Sequence, residues 1–298
     1  MKQIRKRALS MCLVILGLLQ AAPTVCAEGT APIAENRELK TYRNVSVGGT
    51  LSAYDPDGDV VSYTITTEPI KGSITLEEDG HFVYTPRENK KGRDYFGYKA
   101  VDSEGNLSQE ATVIIRIEKQ KTTVHYEDME RRGEEFAAVE LSETGLFTGE
   151  MLAGHYCFCP EKQVSRGEFL SMCMMLSGET VFTGVQRTSY ADDSSMAPWL
   201  RAVAMSALAS GVEDGYLTPD GTFFEADLPI SSAEAAEILD RCLHLAPVRY
   251  SGAEEKMTQA WMNLTACGIL SAPQLPEIPL SRADAALMLT KAMQVVND

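Results

Sequence analysis

The densest set of metal-type ligands lies at Asp55-Pro56-Asp57-Gly58-Asp59, three carboxylates at alternating positions around a glycine turn. Hard cations such as calcium take about six to eight oxygen ligands, and a tight loop of alternating carboxylates supplies several. Glu35 and Asp102 join this set if the strand ends meet there. A solvated turn is the competing reading, because Asp, Pro and Gly suit tight turns for backbone reasons alone. Cys157-x-Cys159 is the other ligand-type pair. No second pair stands at zinc spacing, so a zinc site is not expected. His81, His125, His155 and His244 have no sequence neighbours that would make them bases or ligands. There is no nucleophile elbow, metal-binding His pair or phosphate-cradling glycine loop, so an enzyme is not expected. Distant carboxylates that meet in space, as in glycoside hydrolysis, stay open.

The chain of 298 residues carries 42 acidic and 27 basic residues, a net charge of −15. That balance argues against binding a phosphate backbone, which needs clustered Lys and Arg. Lys2, Arg5, Lys6 and Arg7 precede a short apolar run from Met11 to Leu19, and Val25-Cys26-Ala27 ends it with small residues. This is the pattern of a secretory signal peptide over residues 1–27. Cys26 also invites a lipoprotein reading, but Pro23-Thr24-Val25 lack the residues of such a box. Beyond residue 27 no apolar run approaches the roughly 20 residues needed to cross a bilayer. Cys157, Cys159, Cys173, Cys242 and Cys267 remain after cleavage, an odd number that forbids full pairing in a monomer. Cys173, Cys242 and Cys267 fall on apolar helical faces and read as small buried hydrophobes.

The elements that would position these groups differ between the two halves, with a boundary near residues 121–125. Residues 28–121 read as strands. Val61, Tyr63 and Ile65 share one face, as do Phe82 and Tyr84, then Phe96, Tyr98 and Ala100, then Val113, Ile115 and Ile117. Lys71-Gly72 and Asp79-Gly80 read as hairpin turns. About seven strands in this length predict an all-β immunoglobulin-like sandwich. The ordered anchors Asp55 to Asp59, Pro69 to Gly72, Gly80-x-Phe82-x-Tyr84-Thr85-Pro86 and Asp94-x-Phe96-x-Tyr98 resemble the bacterial cadherin-like and immunoglobulin-like repeat domains. That resemblance implies a surface spacer or an adhesive module.

Residues 122–298 contain an internal repeat. Ser165-x-x-Glu168, Ser231-x-x-Glu234 and Ser281-x-x-Asp284 each open an apolar helical run, the pattern of a capping box. Upstream of each cap, a further helix should stop at Gly145, Gly211 or Gly268. Gly145 to Glu168 and Gly211 to Glu234 span 23 residues each, and Gly268 to Asp284 spans 16. In the second copy Trp199, Leu200, Val203, Ala204, Ala207 and Leu208 make one apolar stripe. Three two-helix units, at about 126–178, 190–245 and 254–296, predict an all-α domain with pseudo-threefold arrangement. No single unit buries its own apolar face, so the three should fold together.

These units resemble S-layer homology (SLH) repeats, through Tyr126-Glu127-Asp128, Tyr190-Ala191-Asp192, Trp199, Trp261 and the segments VSRGEF, PISSAEAA and PLSRADAA. The resemblance implies non-covalent anchoring to secondary cell-wall polysaccharide, often pyruvylated, and a location at the cell surface or S-layer. It assigns polysaccharide contacts to Arg166 and Arg282, which follow a capping Ser, to Asp128 and Asp192, and to Trp199. An Arg at a helix N-terminus suits an anionic ketal, offering a bidentate fork and the positive end of the dipole. Ser232 stands where Arg is expected. By this reading only the first copy retains both Asp and Arg. A calcium-dependent adhesin and a protein-interaction scaffold are the competing functions.

Overall fold

The structure is a computed structural model; it describes residues 29–59, 61–249, 256–271 and 277–297. The signal-type segment 1–27 lies outside the described residues. Among the described residues no helix is long and apolar enough to cross a membrane.

The first half is a two-sheet sandwich. Its strands are β1 (Ile33–Ala34), β2 (Arg37–Tyr42), β3 (Val47–Thr50), β4 (Ala53–Tyr54), β5 (Ser62–Thr67), β6 (Gly72–Leu76), β7 (His81–Pro86), β8 (Gly92–Val101) and β9 (Ala111–Glu118). Four pair in the order β2-β9-β8-β5 and three in the order β3-β7-β6, the seven strands expected, while β1 and β4 form a small ribbon. β2 runs parallel to β9 and the other pairs are antiparallel. The alternation predicted from sequence sets the core: Phe82 and Tyr84 from one sheet meet Phe96, Tyr98, Val113 and Ile115 from the other, all buried. Phe82 and Phe96 pack edge to face at 5.2 Å.

One turn differs from expectation. Asp79-Gly80 does join a hairpin, β6 to β7, but Lys71-Gly72 joins strands of different sheets. The corner is built on Asp94, whose buried carboxylate accepts the Ile70 and Lys71 amides (3.1 and 2.8 Å) and the Tyr84 hydroxyl (2.8 Å). Gly72 is required there because a Cβ would stand 2.4 Å from the Tyr84 ring. Sequence periodicity reports a turn but not whether the chain changes sheets.

The second half contains a 3₁₀ turn (Glu127–Met129), α1 (Glu135–Thr144), β10 (Glu150–Leu152), β11 (His155–Cys157), α2 (Arg166–Ser177), α3 (Pro198–Ser210), β12 (Tyr216–Thr218), β13 (Gly221–Phe223), α4 (Ser232–Leu243), α5 (Lys256–Ala266) and α6 (Arg282–Asn297). The helices come two to a copy as predicted, and the first two copies each enclose a short hairpin, but the first helix of each copy packs on the second helix of a neighbouring copy: α3 on α2, α5 on α4 and α1 on α6. Gly145, Gly211 and Gly268 take left-handed conformations after α1, α3 and α5. Ser165 and Ser231 form complete capping boxes with Glu168 and Glu234, and the Ser281 hydroxyl accepts the Asp284 amide at 3.1 Å.

The three copies close on one another through their backbones. Val164 N–H donates to the Leu280 carbonyl (3.0 Å), Leu280 N–H to Ile230 (2.7 Å) and Ile230 N–H to Val164 (3.0 Å). These three apolar residues are buried on the pseudo-threefold axis, one residue before each capping Ser. The next rung repeats the cycle: Arg166 N–H to Leu228, Arg282 N–H to Lys162 and Ser232 N–H to Ile278. The predicted stripe of the second copy is buried at Leu200, Val203, Ala204 and Ala207, but Trp199 is 57% exposed and lies off it. Trp199 occupies the first turn of α3, beside Pro198 and one residue before the buried Leu200.

The halves are docked rather than strung together. Phe136 N–H donates to the Ser46 carbonyl (3.0 Å), Ser46 N–H to the Glu135 carboxylate (2.9 Å) and Gly48 N–H to the Gly133 carbonyl (2.7 Å). Tyr42 packs on Phe136 with ring centroids 5.4 Å apart. The connecting Lys121 and Thr122 amides are held by the Glu143 carboxylate of α1.

Ile230→Ala should cost about 2–5 kcal/mol, as for other buried Ile truncations. Because the axis is shared, chemical denaturation followed by helical circular dichroism should show the whole helical signal shifting; a shift confined to a fraction of it would contradict a common core.

Candidate functional site at the helix mouths

Each helix that begins at the axis points its first turn at the neighbouring copy. Arg166, at the start of α2, packs on the second copy; Arg282, at the start of α6, packs on the first; Ser232, at the start of α4, faces the third. This cyclic exchange alters the grouping read from sequence. Asp and Arg of one copy do not share a groove. Arg166 meets the copy that contains Asp192, and Arg282 meets the copy that contains Asp128. Two of the three mouths therefore pair an Arg with an Asp-bearing copy.

The Arg166 mouth opens on a cavity of 570 Å³ lined by Arg166, Glu213, Tyr216, Glu234, Arg241 and Glu277, among others. Arg166 is 7% exposed and donates both hydrogen bonds of a bidentate pair to Glu213, at 2.8 Å each. It also donates to the Tyr216 hydroxyl (2.5 Å) and to Glu234 (3.1 Å), and its guanidinium sits 4.4 Å from the Tyr216 ring centroid. Burial opposes its charge, but Glu213, Tyr216 and Glu234 outweigh burial and hold the guanidinium above its ordinary value. Burial likewise pushes on Glu234, yet the hydrogen bonds from Tyr216 and Ser231 and the charge of Arg166 hold its carboxyl below the usual range. Burial and the hydrogen bond to Glu234 push the Tyr216 phenol well up, so it stays a donor at every physiological pH. Five carboxylates line this cavity against two guanidiniums. It offers many donors and acceptors to a hydroxyl-rich ligand, and a surplus of negative charge to an anionic one.

The Arg282 mouth is built alike. Arg282 is 4% exposed, donates to the Phe158 carbonyl (3.1 Å), pairs with Glu150 and stacks 4.8 Å from the Phe147 ring centroid. Glu150, held low by Lys162 and Arg282, occupies the position that Tyr216 holds in the second copy. Sequence reasoning missed Glu213, Tyr216 and Glu150. A signal existed: Glu150 and Tyr216 each lie five residues beyond the helix-ending Gly145 and Gly211.

The opening acids have an internal task. Asp128 accepts the Phe158 and Cys159 amides (2.8 and 2.7 Å), and Asp192 accepts those of Phe224 and Glu225 (3.0 and 2.8 Å). Each staples the end of its hairpin to the start of its copy. Trp199 is outside the Arg166 cavity lining. The four His are exposed, and each lies beside a carboxylate: Asp79, Glu130, Glu127 and Glu179. Cys173 and Cys242 are buried as expected, whereas Cys267 is exposed because α5 has already ended at Ala266.

The acidic loop of the sandwich forms a structured turn. Asp55 accepts the Asp57 and Asp59 amides (2.9 and 3.2 Å), Asp57 accepts the Thr30 amide (2.5 Å), and Asp102 accepts those of Glu104 and Asn106 (2.9 and 2.7 Å). Glu35, expected to join them, accepts instead from the Ser52 hydroxyl. Glu104 takes its place: partial desolvation and then the carboxylates of Asp59, Asp102, Asp57 and Asp55 push its carboxyl up. Among the described residues no three His, Cys, Asp or Glu side chains are arranged to hold a metal ion. Asp55, Asp57 and Asp59 as placed do not converge on a formed calcium site: backbone amides occupy one oxygen of Asp55 and one of Asp57, while Asp55 Oδ2 is buried without a hydrogen-bond partner.

Comparison with known proteins bears on the sandwich. Residues 24–119 match the bacterial cadherin-like domain. No S-layer homology domain is detected in the chain, and no curated protein matches it. Among solved structures, the chain resembles the SrpA adhesin from Streptococcus sanguinis at 15% identity over 34% of this chain and 63% of that one, with a TM-score of 0.27. An endo-fucoidan hydrolase of glycoside hydrolase family 107 is 18% identical over 32% of this chain, TM-score 0.26. A SusE-like surface located polysaccharide binding protein from Bacteroides thetaiotaomicron is 16% identical over 29%, TM-score 0.23. The match spans about a seventh of the length of the fucoidan hydrolase and of the SusE-like protein.

Within the cadherin-like domain, a melt of the full chain with calcium and with chelator should give the same midpoint. A clear fall on chelation would show that the acidic turn rearranges around a cation. At the mouths, Arg166→Ala should lower stability by about 3–5 kcal/mol, since it strands the buried Glu213 carboxylate. Ser232→Ala should stay within about 0.5 kcal/mol, as expected of a change that removes no such partner. Denaturant titration of both variants checks the order.

Proposed function

We propose that the mature chain is a cell-surface protein that holds cell-wall polysaccharide at the mouths of its three-copy helical domain and displays the cadherin-like domain outward as a spacer or adhesive module. The reading is of an SLH-type anchor and not of an enzyme. One observation carries it: the cyclic backbone ring brings three helix starts together and aims each at a groove between copies, and one groove is a cavity walled by Arg166, Tyr216 and Glu234. A guanidinium locked to carboxylates, with a phenol beside it, presents fixed donors and acceptors to sugar hydroxyls. The excess of carboxylates favours neutral sugars there; a pyruvate-ketal carboxylate would have to displace Glu213 from Arg166. Trp199, exposed on the same helical domain, offers an aromatic face for a sugar ring.

A second reading is favoured by the pairing itself. Arg166–Glu213 and Arg282–Glu150 satisfy the charges internally, as in a triplet retained as a scaffold for protein contacts.

Sedimentation of the mature chain with native wall sacculi, and with sacculi stripped of their secondary polymer, separates the two. Retention should fall several-fold on stripping, and Trp199→Ala, a change at an exposed side chain, should weaken it without lowering the melting midpoint. Equal retention on both preparations, or none, would establish the scaffold reading.

A further inference from the structure

A second cavity lies where the two halves meet. It has a volume of 710 Å³ and is walled by β2, β3 and β9 of the cadherin-like domain and by α1 and α6 of the helical half. Leu39, Val47, Phe136, Ala137 and Leu287 give it apolar walls. Gly48 and Gly133 line it without side chains; a Cβ on Gly48 would stand 2.9 Å from the Gly133 Cα. From α6 the cavity receives Leu287, Thr290, Lys291 and Gln294, the spacing of one helix face.

Two polar groups on that face lack partners. Thr290 is 7% exposed, and its Oγ1 is buried without a hydrogen bond, a costly arrangement for a hydroxyl. Lys291 is half-buried and has no carboxylate partner among the described residues; burial first, and then the Arg37 guanidinium, push its ammonium below its ordinary value. The two carboxylates of the lining are already taken: Glu38 pairs with Arg116, and Glu118 with Lys40 at 3.7 Å. The lining holds three cations against these two carboxylates, whereas the Arg166 cavity holds two guanidiniums against five. In a chain of net charge −15, the junction is where an anion meets a local surplus of positive charge.

We infer that the junction cavity binds a small organic carboxylate with an apolar body. The carboxylate accepts from the Lys291 ammonium and the Thr290 hydroxyl, and the body lies against Leu39, Phe136 and Leu287. An inorganic anion would leave those walls wet, and an uncharged amphiphile would leave the ammonium without its counter-charge. Neither half holds the site alone, so an occupant ties the cadherin-like domain to the helical half.

The test is isothermal titration calorimetry of the full chain with octanoate and, separately, with octan-1-ol. Octanoate should bind at one site, about tenfold tighter than octan-1-ol, the margin that a hydrogen bond to a charged group supplies. Lys291→Gln should abolish that margin. Thr290→Val keeps the side-chain shape and removes the hydroxyl; it should weaken octanoate a few-fold without lowering the melting midpoint, because the hydroxyl has no internal partner to lose. Equal binding of the two probes, no saturable octanoate binding, or an octanoate affinity that either substitution leaves unchanged overturns the site. The titration contains no wall material, so its failure leaves the wall-binding reading standing.

Discussion

Three backbone hydrogen bonds among Val164, Ile230 and Leu280 hold the helical half together. Each residue donates to one neighbour and accepts from the other, so no copy completes its backbone pairing alone. A buried amide without a partner is costly, and the ring removes that cost only when all three copies are present. Everything at the helix mouths follows from it. Each ring residue stands one position before a capping Ser, so closing the ring fixes where the helices start and which neighbour each one faces.

The mouths then pose an electrostatic problem. A guanidinium at 7% or 4% exposure has lost its water and needs a full set of partners. Arg166 finds most of them in Glu213, Glu234 and Tyr216, and Arg282 in Glu150, the Phe158 carbonyl and the Phe147 ring, while the Nε of each is buried without a hydrogen-bond partner. The third mouth avoids the problem with Ser232. This asymmetry makes the three grooves chemically distinct although their backbones repeat, and it concentrates buried ion pairs at two of them.

The cadherin-like domain handles buried charge differently. Asp94 and, at its junction with the helical half, Glu135 are carboxylates without a buried cation. They are held by amides, from Ile70 and Lys71 in one case and Ser46 and Arg131 in the other, with Tyr84 adding a phenol to Asp94. Burial pushes the Glu135 carboxyl up in spite of its amide donors. Asp94 turns the chain from one sheet to the other; Glu135 ties β3 to α1 and makes the cadherin-like domain continuous with the helical half.

Much of this was present in the linear pattern. Period-two alternation named the strand faces, and Ser-x-x-acid with a preceding Gly named the helix starts and stops, because caps and left-handed stops are chosen by a few local residues. The Arg positions at the mouths were also readable, as offsets from those caps. What the sequence could not supply was any relation that depends on which copy meets which. Local spacing carries no information about the cyclic exchange, so it grouped Arg166 with Asp128 where the fold places it beside Glu213 and Glu234 of the next copy. It read Lys71-Gly72 as a hairpin because a turn looks alike whether or not it changes sheets. It left Asp55, Asp57 and Asp59 open between metal ligands and a solvated turn, because whether a side chain bonds to nearby amides, as Asp55 and Asp57 do, is settled only by the turn's three-dimensional path. Local residue chemistry determined the elements, and the closing of the ring decided their partners.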